Sequence, residues 1–138
     1  MKRGTVARFI STEELKPKRS TKESAGYDFR SPKTVTIPPH WMVSFSSEVA
    51  VEMKPGYVLE LYIRSSLGKR GLVLTNAVGI IDADYKLPIS AFIMNNSDEP
   101  VTIEKGDKYM QGIFKQFFLA EEDEVTTERN GGIGSTGR

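Results

Sequence analysis

An all-β, single-domain fold is the reading that three features of this 138-residue sequence support. Apolar residues alternate with polar ones in short segments, about ten of them at the 8–12-residue spacing of a sandwich or barrel. Clusters rich in Pro, Gly, Asn and Ser separate these segments. Only residues 11–15 and 67–70 could hold a helical turn or two, and no internal repeat is present. The expected architecture is a β-barrel or jelly-roll-like sandwich over residues 1–120, followed by a flexible Gly-rich C-terminal arm over residues 121–138.

In chain order, residues 6–10 read as a short strand. Residues 16–23 are basic and loop-like, with Pro17, Ser20 and Thr21. Ser24-Ala25-Gly26-Tyr27-Asp28-Phe29 sets a small-residue turn beside an acid. Residues 35–37 alternate as a strand that Pro38-Pro39 ends, and residues 41–51 alternate again through Val43, Phe45, Val49 and Val51. A Met-Lys-Pro-Gly turn at 53–56 leads into a strand over 57–63, then Arg64-Ser65-Ser66-Leu67-Gly68. Residues 72–74 are apolar and precede Asn76. Residues 79–85 and 89–95 read as a β-hairpin with polar groups at its tip. A turn at 95–98, a strand at 101–103, a tight turn at Lys105-Gly106-Asp107 and a long strand over 110–118 complete the body. Trp41 and the Phe117-Phe118 pair are assigned to the core, and His40 to an exposed loop.

Composition narrows the function. The formal charge is +1, without the basic excess that a general nucleic-acid surface needs. There is no cysteine, hence no disulfide, zinc–thiolate site or thiol nucleophile, and the single His40 leaves no His-rich metal site. No apolar run approaches a membrane span, and the N-terminus lacks the apolar core of a signal peptide, so a soluble cytoplasmic protein is expected. Four glycines fall within residues 131–137, a stretch that cannot pack a core. The acids at 121–124 read as solvated, and the ten residues 119–128 could reach roughly 33 Å if extended, enough to lie on another subunit.

The candidate chemistry centres on Gly79-Ile80-Ile81-Asp82-Ala83-Asp84-Tyr85. If the strand continues, Asp82 and Asp84 share a face with Ile80; if it turns, Asp82 is offered at the turn. An aspartate is ionised near neutral pH unless buried, so Asp82 could act as a general base, or merely cap a turn. Asp28 could bind Mg²⁺ directly or through water, or cap its own turn. Arg64 with the hydroxyls of Ser65 and Ser66 suits phosphate oxygens, or is a plain surface turn. Gln111 could give an amide to a phosphate, and the tail offers main-chain N–H groups, hydroxyls and Arg129.

The order of these pieces is more specific than any one of them. Along nearly its whole length the chain resembles the trimeric dUTPases (deoxyuridine triphosphate nucleotidohydrolases). Five family motifs appear in sequence: S-A-G-Y-D-F at 24–29, R-S-S-L-G at 64–68, N-A-V-G-I-I-D-A-D-Y at 76–85, K-G-D-K-Y-M-Q at 105–111 and G-G-I-G-S-T-G at 131–137. The resemblance implies hydrolysis of dUTP to dUMP and pyrophosphate, which limits uracil incorporation into DNA and supplies dUMP for thymidylate synthesis. It implies that Asp82 orients and deprotonates the water attacking the α-phosphorus. Asp28 would hold water on the Mg²⁺ that clamps the phosphates, and Arg64, Ser65, Ser66 and Gln111 would line the phosphate site. Asn76, with main-chain groups near Ile80, Ile81 and Ser90, would read the uracil edge, and Tyr85 would pack beneath the deoxyribose. Arg129, Ser135 and Thr136 would close on the phosphates, with Gly134 beside them and Ile133 over the base. A homotrimer with sites shared among subunits is implied, the arm closing over a neighbouring subunit's site, with no nucleic acid and no membrane as partner. A phage-encoded member could add a regulatory protein partner.

The sequence departs from the family pattern in four places. Ile133 stands where an aromatic residue is usual, and Arg129 lies one residue closer than usual to Gly131-Gly132. Lys86-Leu87-Pro88 replaces a basic–Gly pair, and Ser66 stands where glycine is common. R-S-S-L also looks like the related dCTP deaminases. Those carry a catalytic glutamate in the strand after the I-D segment, and here Pro88-Ile89-Ser90-Ala91-Phe92-Ile93 has none.

Overall fold

The computed structural model describes residues 1–130 of the chain. Its elements are β1 (Ala7–Ile10), β2 (Tyr27–Arg30), β3 (Val35–Ile37), β4 (Met42–Ser46), β5 (Ala50–Met53), β6 (Tyr57–Ile63), α1 (Ser65–Gly68), β7 (Leu72–Leu74), β8 (Gly79–Asp82), β9 (Ser90–Asn95), β10 (Val101–Ile103) and β11 (Lys108–Gln116). The strands form a four-stranded sheet in the order β2-β11-β6-β8, a three-stranded sheet β4-β9-β7, and the pairs β1-β5 and β10-β3, all antiparallel. The all-β, jelly-roll-like class expected from the sequence is what the chain adopts.

Period-2 alternation places the core. In β9 the buried residues are Ala91, Ile93 and Asn95, and in β10 Val101 and Ile103, with partly exposed residues between them. Phe29, Ile37, Leu59, Leu72, Ile89, Ile93, Ile103, Tyr109 and Met110 are fully buried. Fully burying one such side chain contributes about 1.5–3 kcal/mol. Asn95 is the polar exception. Its Nδ2 donates to the carbonyls of Ile37 and Glu99, and its Oδ1 accepts from Ser97, so the buried amide ties the 95–99 turn to β3. Burial in this interior raises the Tyr109 phenol above its ordinary pKa.

Several expectations need correction. The segments 79–85 and 89–95 do not form a hairpin: β8 pairs with β6, whereas β9 lies between β4 and β7 in another sheet. The connection between them is seven residues long and contains Pro88. The alternating stretch 41–51 is two strands, because Glu48 takes a left-handed φ of 60° and breaks the run. The last strand starts earlier than expected, at Lys108, and ends at Gln116. Trp41 and Phe118 are not core residues of the chain. They are 64% and 82% exposed, and Phe117 is also exposed. One helical turn forms, at Ser65–Gly68, held by the buried Leu67.

Candidate functional site

Three of the sequence-singled residues meet at one end of the four-stranded sheet. Asp28 lies in β2, Gln111 is its register partner in β11, and Gln111 pairs on its other side with Tyr62 of β6. Arg64 follows directly after β6, and its N–H donates to the Tyr109 carbonyl. A β-bulge between Lys108 and Met110 adds one residue to β11 opposite β2. Lys108 stands beside Asp28 on that bulge, with Nζ 3.7 Å from Oδ2. Asp28 is 8% exposed, its Oδ1 lies 3.4 Å from the Arg64 Nε, and its Oδ2 accepts from the Ser20 hydroxyl at 2.8 Å. Two cations and a hydroxyl therefore compensate one nearly buried carboxylate. Ser65 and Ser66 are exposed on α1 beside this cluster.

Gly26 explains how Gln111 fits there. A Cβ built on Gly26 would stand 2.3 Å from the Gln111 Oε1 and 3.2 Å from its Cδ, so the glutamine amide lies flat against a backbone that must carry no side chain.

A second group forms around the end of β8. The strand stops at Asp82, and the Tyr85 N–H donates to the Asp82 carbonyl at 3.0 Å, which closes a turn. Of the two geometries the sequence left open, the turn is the one found. Ile80 and Asp82 point to one exposed face, and Ile81 packs partly against the core. Tyr85 is nearly buried and its hydroxyl donates to the Pro88 carbonyl at 3.2 Å, which fixes the ring. Asn76 is exposed next to Ala77, whose φ is 62°, and Ser90 opens β9 half-buried.

Arg129 joins this second group. Its Nε donates to the Asp84 Oδ1 at 2.7 Å, its Nη2 donates to the Asp82 Oδ2, and its guanidinium carbon lies 5.8 Å from the Tyr85 ring centre. The Asp84 bond first, and Asp82 after it, raise the Arg129 pKa above its ordinary value. The pairing of Asp84 with Arg129 was not anticipated, although two acids one residue apart and an arginine just before the glycine-rich stretch were visible. Ile133, Gly134, Ser135 and Thr136 lie outside the described residues.

The two groups are separated within the chain. Asp82 pairs with Val58 at the start of β6, whereas Arg64 follows its end. Six residues at 3.3 Å per residue put these points roughly 20 Å apart. Asp28 is three strands across the sheet from Asp82, in the order β2-β11-β6-β8.

Asp28 accepts from Ser20 and lies beside Arg64 and Lys108. Among the described residues no group of three or more His, Cys, Asp or Glu converges on a metal position. A single carboxylate held by Ser20 and two cations does not suit direct chelation. It does fit a Mg²⁺ ion carried by phosphates and met through water, the coordination habit of this small, strongly hydrated cation.

An all-β domain presenting an arginine–serine cluster at one sheet end and an exposed, arginine-paired carboxylate beside a fixed tyrosine at the other has the makings of a nucleotide hydrolase. The comparisons give the particular family. The dUTPase family model matches residues 13–137. A deoxyuridine 5'-triphosphate nucleotidohydrolase of Lactococcus lactis is 43% identical over 130 residues, covering 88% of this chain and 87% of its own. One from Nautilia profundicola is 36% identical over 135 residues, with 94% and 95% covered. The crystal structure of a dUTPase from Streptococcus mutans aligns with a TM-score of 0.76 at 35% identity, covering 85% of this chain and 99% of that one. A dUTPase from phage phi11 of S. aureus aligns with a TM-score of 0.75 at 25% identity, covering 89% and 97%. The chain belongs to the dUTPase family. No helix among the described residues is long and apolar enough to cross a membrane.

Proposed function

We propose that this chain hydrolyses dUTP to dUMP and pyrophosphate at sites built between subunits of a homotrimer. The carrying observation is the separation just described. Arg64, Asp28 and Gln111 gather at one sheet end, while Asp82 stands at the other, roughly 20 Å from Arg64 and farther than a triphosphate reaches. One chain's phosphate cluster therefore needs another chain's Asp82. The apolar side chains of Phe117, Phe118, Leu119 and Val125, exposed where the chain leaves β11, support a covering subunit.

Asp82 takes a proton from a water molecule as that water's oxygen bonds to the α-phosphorus. The bond from the α-phosphorus to the bridging oxygen breaks on the opposite side, and pyrophosphate leaves with the electron pair. Arg64, Ser65, Ser66 and Gln111 hold the phosphates, because phosphoryl transfer depends on positioning and charge neutralisation more than on covalent catalysis. Magnesium, when bound, would neutralise further phosphate charge, and Asp28 would hold it through water. The Tyr85 ring lies under the sugar and leaves no room for a 2′-hydroxyl. Asn76 and the main chain near Ile80, Ile81 and Ser90 read the uracil edge, where a mismatched buried donor or acceptor costs about 1–3 kcal/mol. Arg129, Ile133, Gly134, Ser135 and Thr136 close over the nucleotide. Before substrate arrives, Arg129 occupies Asp82 and the Tyr85 face, so it must move for the base to act.

Pyrophosphate release from dUTP, dTTP, dCTP and UTP, measured for the native chain and Asp82→Asn, tests this reading. Release from dUTP alone, lost in the variant, is expected; release from none of the four refutes it.

A further inference from the structure

Beside Asp28, and not containing Arg64, lies a basic pocket of about 340 Å³. Lys16, Lys18, Arg19, Arg30 and Lys108 line it, with Glu14 and Asp28 as its acids and Ser20 between them. Five cations against two carboxylates leave three positive charges in one concavity. Its volume sits at the small end of ligand sites, which begin near 300 Å³.

Glu13, just outside the lining, offsets one of those three charges, so five cations less three carboxylates leave an excess of two. The Arg19 Nη1 donates to the carbonyls of Lys22 at 2.6 Å and Ser24 at 3.2 Å, and the Arg30 Nη1 donates to the Gly106 carbonyl at 2.9 Å. These bonds orient the guanidinium groups through neutral acceptors. Lys16 and Lys18 share the single carboxylate of Glu13, at 3.3 and 3.5 Å. Lys108 shares Asp28 with Arg64 and also donates to the Ser20 hydroxyl at 3.2 Å. Asp28 is the common wall: its Oδ1 faces Arg64, and its Oδ2 faces Ser20 and Lys108.

We propose that this pocket is a diphosphate site that takes inorganic pyrophosphate, entered past Asp28 from the phosphate cluster of the hydrolytic site. Naming pyrophosphate as its ligand rests on the proposed reaction, which produces it; the anion affinity itself rests on the pocket alone. Forked guanidinium groups and ammonium groups around a small cavity match the several charged oxygens of a compact anion.

Calorimetric titration of the full chain with sodium pyrophosphate tests it, without nucleotide, for the native protein, for Arg30→Gln, and for the pair Lys16→Gln with Lys18→Gln. Arg30 belongs to a paired strand, so its replacement leaves the backbone ladder intact; the lysine pair is an independent second variant. Native binding that weakens with salt, and falls about 10-fold or more in each variant, is expected. Equal affinity in native and variant proteins, or no native binding at millimolar pyrophosphate, overturns the proposal. Steady-state kinetics separate two sources of the diphosphate. If KM for dUTP rises along with the pyrophosphate dissociation constant, the pocket also holds the β- and γ-phosphates of substrate. If only product inhibition weakens, it is a separate exit subsite. Should dUTP not be turned over while pyrophosphate still binds and the variants weaken it, the hydrolase reading falls and the pocket stands.

Discussion

Replacing Gly26 by alanine should damage catalysis through Gln111 while leaving the fold nearly untouched. The new Cβ would stand 2.3 Å from the Gln111 Oε1 and 3.3 Å from its Cβ. Ordinary contact begins near 3.4 Å, so the amide end must retreat by about 1 Å, and the flexible side chain gives before the backbone. A hydrogen bond to a charged phosphate contributes about 1.5–3 kcal/mol, so losing it lowers kcat/KM roughly 10- to 100-fold. A misplacement of about 1 Å is also enough to cost that order in an oriented site. The assay is steady-state dUTP hydrolysis by Gly26→Ala, Gln111→Ala and the double variant, with thermal unfolding as a control. Because both changes act through one amide, the double variant should lose little more than either single one. Full activity in Gly26→Ala, or losses that multiply in the double variant, would refute the reasoning.

Other expectations follow from the same geometry. Asp82→Asn should lower kcat about 10²- to 10⁴-fold, the usual contribution of a positioned base, while dUTP still binds in a calorimeter. Leu59→Ala removes a fully buried side chain that packs against Gly112, and chemical denaturation should show a loss of about 2–5 kcal/mol. At the pair of half-buried Glu60 and exposed Lys115, the Lys115 ammonium and the Tyr62 hydroxyl hold Glu60 below its ordinary value of 4.5, and Glu60 holds Lys115 above 10.5. The glutamate's contribution is complete above 4.5 and is lost as pH falls through its lower folded value. The lysine's contribution is complete below 10.5 and is lost as pH rises through its higher folded value. Glu60→Gln should therefore flatten the acid limb of thermal stability against pH, and an unchanged limb would contradict the pairing.

What the sequence made legible was local. Alternation located almost every strand, because burial on one face imposes a period of two whatever the partner. Pairing was not legible: residues 79–85 and 89–95 looked like two arms of a hairpin, yet long-range packing sends β8 and β9 to different sheets. The exposure of Trp41 and Phe118 was missed for a related reason, since an exposed aromatic residue looks the same in a sequence as a buried one. At the candidate site, motif order singled out Asp28, Arg64, Gln111, Asp82 and Tyr85. Neither the Asp84–Arg129 bond nor the bulge that brings Lys108 to Asp28 was, because both depend on how distant segments turn. Gly26 was visible as a small-residue turn, but its role as the surface under Gln111 needed the strand register.

The central claim is that Arg64 and Asp82 of one chain serve different sites. Mixing two inactive variants, Asp82→Asn and Arg64→Gln, after unfolding and joint refolding at equal amounts tests it most directly. If each site takes Arg64 from one subunit and Asp82 from a neighbour, random trimers should recover about a quarter of native activity. If both residues come from the same chain, no mixture contains an intact site, and activity remaining at the level of the separate variants would contradict the account.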